Sequence, residues 1–172
     1  MNKKEAYDII KSLLDSSDFE PARTIQQGIS SNNRLFDDVY EIHNIYDLDI
    51  RGYSLQLNIL FEENWADSLV FISPTLPIGS NAGSLPLLLC QINWNIKADC
   101  RIYLDSNKDI AISSRVRYDF LEALPEETFE NTILASLQFY ADVYTPIYNY
   151  VSGIETFDEV SSYIKNMWGD SG

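Results

Sequence analysis

The chain has little cysteine, histidine or positive charge for its 172 residues. It contains two cysteines, Cys90 and Cys100, and one histidine, His43. Structural zinc sites take four Cys or His ligands in closely spaced pairs, so these three residues exclude the common zinc modules. We expect the two thiols to be free and buried, as in a reducing compartment; a disulfide between them is the alternative.

The chain also has few basic residues. Only 12 Lys and Arg stand against 26 Asp and Glu, which gives a net charge of -14 at pH 7. This charge repels phosphate groups. We therefore expect that the protein does not bind nucleic acid or an anionic membrane surface. Residues 118–172 hold ten acids and a single base, Lys165, which favours a basic or mixed polar and apolar partner.

The chain also lacks long apolar segments. No run approaches the roughly 20 apolar residues that a membrane-spanning helix needs. Lys3 and Lys4 are followed by Glu5, Asp8 and Lys11 rather than by the apolar stretch of a signal peptide. We therefore expect a cytoplasmic protein.

Motifs of known chemistry are missing as well. No G-x-S-x-G, phosphate-binding loop, dinucleotide-binding glycine pattern or H-E-x-x-H occurs. Residues 105–109 begin like a calcium loop, but Ile110 and Val116 stand where that loop needs Gly and Glu, so a hairpin turn is the better interpretation. His43 is expected to be exposed, because the register of the first hairpin places it opposite Leu60 on the outer face, and structural, because no activated serine accompanies it. We predict no enzymatic activity, no cofactor and no metal.

Regular hydrophobic periodicity is present along the whole chain, which is expected to form a single domain, 1–172. The pattern predicts a first helix to about residue 15, strands at 39–50, 53–62 and 66–73, a helix at 84–98, strands at 100–104 and 110–118, a long helix from 125, and a helix at 156–168. Residues 16–37 are a polar insertion that we leave unassigned, although some of it can be strand. The order α-β-β-β-α-β-β-α, with the appended C-terminal helix, predicts an α+β fold with an antiparallel sheet of about five strands.

Two hairpins are expected. A two-residue turn at Arg51 and Gly52 pairs Leu48 with Leu55 and places Ile42 opposite Phe61, so that the apolar faces agree. The second hairpin pairs Leu104 with Ile110 and Ile102 with Ile112. The same register places Asp99 opposite Arg115 on the outer face, where an ion pair is expected.

The long helix begins at Pro125, followed by acids that suit a helix start. Pro146 is expected to kink this helix or to end it near Tyr144. The tyrosines at 140, 144 and 148 repeat at intervals of four, and we expect them to pack against the sheet rather than to form a peptide-binding surface.

The helix at 84–98 carries two apolar stripes instead of one. The first is expected to face the sheet and comprises Leu85, Leu88, Leu89, Ile92 and Ile96. The second lies nearly opposite and comprises Leu87, Cys90, Trp94 and Ala98. It requires a cover of its own, either the C-terminal helix or a second subunit or partner, and these four residues are the candidate interface.

The phrase Leu89-Cys90-Gln91-Ile92-Asn93-Trp94-Asn95, followed by Arg101-Ile102-Tyr103-Leu104-Asp105 and a strand, resembles the YbjN-like family of bacterial sensory-transduction regulators. The order of elements resembles the type III secretion chaperone-like fold. The resemblance implies a compact α+β domain, frequent dimers, no catalytic residues, and a role in regulation or protein binding.

The sequence thus favours a non-enzymatic protein-interaction module, chaperone-like or regulatory, that binds a protein, a peptide or a second copy of itself through apolar surface. The alternative is a small-molecule-responsive regulator with a pocket lined by Tyr and Trp. A hydrolase is the third hypothesis.

Overall fold

The computed structural model describes residues 1–30, 39–76, 83–96 and 98–168, and side chains for all of these except residues 23–30 and 168. Its elements follow in this order: α1 (Lys3–Ser16), β1 (Arg23–Ser30), β2 (Val39–Asp47), β3 (Ser54–Phe61), β4 (Trp65–Ser73), α2 (Leu85–Asn95), β5 (Cys100–Leu104), β6 (Ile110–Arg117), α3 (Tyr118–Ala123), α4 (Pro125–Phe129), a π-helical segment (Glu130–Leu134), α5 (Ala135–Val151) and α6 (Phe157–Trp168).

The strands form one antiparallel sheet in the order β1-β2-β3-β4-β6-β5. The predicted α+β class, with its antiparallel sheet and C-terminal helix, is confirmed. The sheet has six strands rather than about five, because β1 lies inside the unassigned insertion at 16–37. The sequence of β1 offers only Ile25 and Ile29 as apolar residues, too few to show an alternating pattern. Residues 31–37 of that insertion lie outside the described residues.

One face of the sheet forms the core together with the helices. Alternate residues of the central strands are buried, among them Leu57 in β3 and Val70 in β4. The tyrosines of α5 pack here as expected: Tyr140 is fully buried, Tyr144 is buried and Tyr148 is half-buried. The Tyr140 hydroxyl donates to the Ile110 carbonyl oxygen of β6 at 2.5 Å, which fastens α5 to the sheet.

The first hairpin forms, but its predicted register is wrong by two residues. Tyr53 N donates to Ile50 O at 3.1 Å, which closes the expected turn over Gly52, whose φ is 87°. The strand ladder nevertheless pairs Tyr46 with Leu55 rather than Leu48 with Leu55. Extra residues before the turn cause the displacement. Because it is an even number, every side chain keeps its predicted face.

The second hairpin has the predicted register, with Ile102 opposite Ile112 and Leu104 opposite Ile110. The predicted ion pair between Asp99 and Arg115 is wrong. Arg115 instead binds Asp67 of the neighbouring strand β4, with Nε and Nη2 at 2.7 and 3.2 Å from the two carboxylate oxygens. This geometry is bidentate, and bidentate pairing is the favoured arrangement of a guanidinium on a carboxylate.

Pro146 lies inside α5, and the helix continues to Val151, so of the two expected outcomes, a kink or an end near Tyr144, the second is wrong. A proline in a helix interior removes one backbone hydrogen bond and costs about 3 kcal/mol. Buried side chains on both sides of it, Val143 and Ile147, hold the helix against the core and outweigh that cost.

Candidate functional site

Helix α2 is the only helix of eight or more described residues without a charged side chain, and it carries the candidate interface. It begins after Ser84, with a proline in its first turn, where the missing N–H costs nothing. The Ser84 hydroxyl bonds the Tyr150 hydroxyl and so ties the start of α2 to α5. The inner side of α2 is buried in the core, as its first stripe predicts, through Leu85, Leu88, Leu89 and Ile92.

Two polar residues of α2 hold the helix to its neighbours. Gln91 exchanges two hydrogen bonds with Ser161 of α6, donating to its carbonyl oxygen at 3.2 Å and accepting from its hydroxyl at 2.8 Å. Asn93 exchanges two with Ile102 of β5, donating to the carbonyl oxygen at 2.8 Å and accepting from the N–H at 2.9 Å. Because both side chains are engaged, the rotation of α2 about its own axis is fixed.

In this orientation of α2, three residues of the second stripe lie at the surface. Trp94 is 89% exposed and Leu87 is 63% exposed, and Cys90 between them is exposed as well. Spacings of three and four along a helix place all three on one side of it. We call these three residues the outer α2 surface. Ala98 does not belong to it, because Ala98 follows the end of the helix and packs half-buried against the core.

Helix α6 does not cover this surface. It buries Val160 and Ile164 in the core and meets α2 at Gln91, on the flank next to Trp94, which is nevertheless 89% exposed. Of the two covers that the sequence allowed for the second stripe, the C-terminal helix therefore packs on the core and on the flank of α2 at Gln91, beside the second stripe but not over Trp94. Within the described residues, the outer α2 surface has no cover.

The distribution of acidic residues in the sequence also marks this region, and hydrophobic periodicity does not reveal it. Residues 68–98 contain no Asp or Glu, although the chain has 26 of them. The outer α2 surface lies in this stretch and contributes no charge itself. A partner can therefore approach it without facing a carboxylate on the helix, whatever the charge of the rest of the chain.

A second surface feature lies on the outer face of the sheet, over β6. It is a shallow depression of about 530 Å³, and its lining includes Asp67, Arg101, Tyr103, Ser113 and Arg115. Its lining is mostly polar or charged and contains one aromatic residue, so it differs from the Tyr- and Trp-lined pocket of the small-molecule hypothesis. Desolvation raises the pKa of the Tyr103 phenol there.

The residues considered for chemistry contact neighbouring groups of the fold. His43 is half-buried rather than exposed, and its Nε2 lies 3.2 Å from Gln56 Oε1 on β3. The Asp105 carboxylate accepts the backbone N–H groups of Asn107 and Asp109, each at 2.8 Å, so the segment that begins like a calcium loop is a hairpin turn. In the part of the chain that the structure describes, no three His, Cys, Asp or Glu side chains cluster as metal ligands would.

The two cysteines differ in access, which gives a direct test of the helix orientation. The expectation that both thiols are buried is wrong for Cys90, which is exposed, whereas Cys100 is 1% exposed and burial raises the pKa of its thiol. Because a reagent must reach the sulfur, and a raised pKa leaves less reactive thiolate at Cys100, we expect an alkylating reagent to modify Cys90 quickly and Cys100 only after unfolding. Mass spectrometry of the native chain should show one rapid addition. Two rapid additions would contradict this placement.

Replacing Trp94 by alanine should change the free energy of unfolding by less than about 0.5 kcal/mol, because the side chain packs on little within the chain. The matched control is Ile92→Ala, two positions earlier on the same helix, where the side chain is fully buried. That change should cost about 2 to 5 kcal/mol. Denaturant titrations of both variants measure the difference, and similar losses in the two would show that Trp94 is covered.

Comparisons with known proteins identify no relative: no family model matches the chain, and no curated protein or solved structure resembles it significantly. The YbjN-like resemblance therefore stays a prediction based on the sequence phrase. In the described ranges, no helix is both long and apolar enough to cross a bilayer.

Proposed function

We propose that the chain is a non-enzymatic protein-interaction module, chaperone-like or regulatory, that binds a protein or peptide partner through the outer α2 surface. One observation carries the proposal: Trp94 and Leu87 are largely exposed on a helix whose other sides are held by the core, by α6 and by β5. Exposed tryptophan beside exposed leucine is typical of interaction sites, where the centre of an interface contributes most of the binding energy.

Charge supports a partner of a particular kind. The chain carries -14, but the residues around the outer α2 surface in sequence, 68–98, hold no acid. A partner segment with an apolar face and flanking basic residues suits this arrangement, because its apolar face meets neutral surface while its charges are attracted to the acidic remainder. Membership of the YbjN-like family and a cytoplasmic location would fit such a role and are part of the proposal.

The test is affinity capture from an extract of cells that make the protein naturally, using the tagged full chain. Trp94→Glu should lose the captured partner, because a carboxylate would replace the central apolar contact. The matched control is Leu124→Glu, which places the same charge on a 53% exposed leucine at the end of α3. If Trp94→Glu and wild type retain the same proteins equally, the proposal is wrong.

The second candidate function, a small-molecule-responsive regulator, is favoured by the depression over β6. Arg115 and Asp67 pair with each other in its lining, which leaves Arg101 and Asp99 as the two charges that suit a small ligand carrying both signs. A thermal-shift screen with zwitterionic metabolites tests this candidate. We would expect a shift for one of them that Arg101→Ala removes, and no shift would count against the candidate.

A further inference from the structure

The two edge strands of the sheet, β5 and β1, differ in how well they are protected from pairing with another strand. At one edge, β5 is only five residues long, and Asn93 occupies both outward backbone groups of its central residue, Ile102. An edge strand closed in this way cannot accept another strand, and this is a common protection against edge-to-edge pairing.

The other edge is β1, which has eight residues. From Thr24 to Ser30 it contains no charged residue and no proline, the residues that usually protect an edge strand. Its irregularity lies at the beginning, between Thr24 and Gln26, and from Gln26 to Ser30 its register with β2 is continuous. Within the described residues, no strand pairs with its outer edge.

We infer that this edge of β1 pairs with β1 of a second copy of the chain, antiparallel across a two-fold axis, so that two six-stranded sheets continue into one. An antiparallel strand is self-complementary about such an axis, because each backbone donor on one copy meets an acceptor on the other.

Two-fold self-complementarity and the local lack of acids favour the second copy as the occupant. Two chains of -14 repel one another wherever acids face acids. The two longest acid-free runs in the sequence are 68–98, which contains the outer α2 surface, and 21–36, which contains β1. Self-pairing of β1 places neutral residues opposite neutral residues, so the like charges of the two copies stay away from the contact.

Sedimentation equilibrium of the full chain over a range of concentrations tests this inference. We expect a species of twice the 19.7 kDa chain mass that dissociates on dilution. The double variant Gln26→Lys with Gln27→Lys should weaken the dimer at least about tenfold, since lysines opposite lysines repel and solvate the edge.

The control is Thr145→Lys with Ser152→Lys, two exposed positions at α5, which changes the net charge equally. Because it lowers the overall repulsion, it should leave the dimer intact or tighten it. Trp94→Glu should also leave the dimer intact, so failure here is distinguishable from failure of the proposed function.

Hydrogen exchange on the wild type gives a readout that needs no variant. Amide protons of residues 26–30 should exchange more slowly as the concentration rises through the dimerisation range. A wild type that is monomeric at every concentration overturns the inference. So does a dimer that the Lys pair leaves unchanged, or one that Trp94→Glu dissociates instead.

Discussion

Replacing Ile164 by alanine should lower the free energy of unfolding by about 2 to 5 kcal/mol. Ile164 is fully buried on α6, the helix that Gln91 holds against α2. Removing its side chain leaves a cavity beneath α6 as well as losing the transfer free energy of the removed atoms. Urea titration followed by far-UV circular dichroism gives the value.

The matched control for this change is Tyr163→Ala, at the neighbouring residue of α6, which is 53% exposed. It should cost less than about 0.5 kcal/mol. Because the two residues share one helix, helix propensity cannot account for a large difference between them. Equal losses would mean that α6 is not docked on the core through the face containing Val160 and Ile164.

Replacing Asn93 by alanine should lower the free energy of unfolding by about 1 to 3 kcal/mol and promote aggregation. The side chain satisfies both the N–H and the carbonyl oxygen of Ile102, and its loss leaves these groups without their partners. It also opens the edge of β5 to strand pairing. Thermal unfolding and light scattering measure the two effects.

Asn95→Ala is the matched control on the same helix. The Asn95 side chain donates at 2.8 Å to the carbonyl oxygen of Gln91, one turn earlier in α2, and reaches no other element in that bond. Its removal should cost under about 1 kcal/mol and should not promote aggregation. A result in which Asn95→Ala aggregates and Asn93→Ala does not would refute the assigned role of Asn93 in closing the edge.

Local pattern was sufficient for much of the fold. Alternating apolar residues located five of the six strands, and the inner stripe of α2 correctly predicted that Leu85, Leu88, Leu89 and Ile92 are buried. The first hairpin shows the limit of this reasoning. A period of two determines which face a residue occupies but tolerates an even displacement along the strand, so the faces were right and the pairs were wrong.

Features that depend on distant residues were not predictable in this way. Arg115 binds Asp67, a residue 48 positions earlier, because β4 rather than β5 supplies the nearer carboxylate. Asn93 gave no periodic signal, although its bonds to Ile102 close an edge of the sheet. The helix end expected near Tyr144 was wrong for a related reason, since burial of the neighbours of Pro146 in α5 outweighs a local penalty.

The candidate site was predictable in part. Helical spacing grouped Leu87, Cys90 and Trp94 correctly and added Ala98, which the end of α2 at Asn95 removes from that helical face. Spacing could not show which side of α2 would meet α6. That choice depends on Gln91 and Ser161, two residues 70 positions apart.

Photo-crosslinking from position 94, performed in cells that make the protein naturally, tests the central claim most directly. A photoreactive phenylalanine analogue replaces Trp94 in one chain and Leu124 in another, both exposed apolar positions. The account predicts that position 94 yields a discrete crosslinked product with a protein partner and that position 124 does not. Crosslinking that is absent at position 94, or the same at both positions, would contradict it.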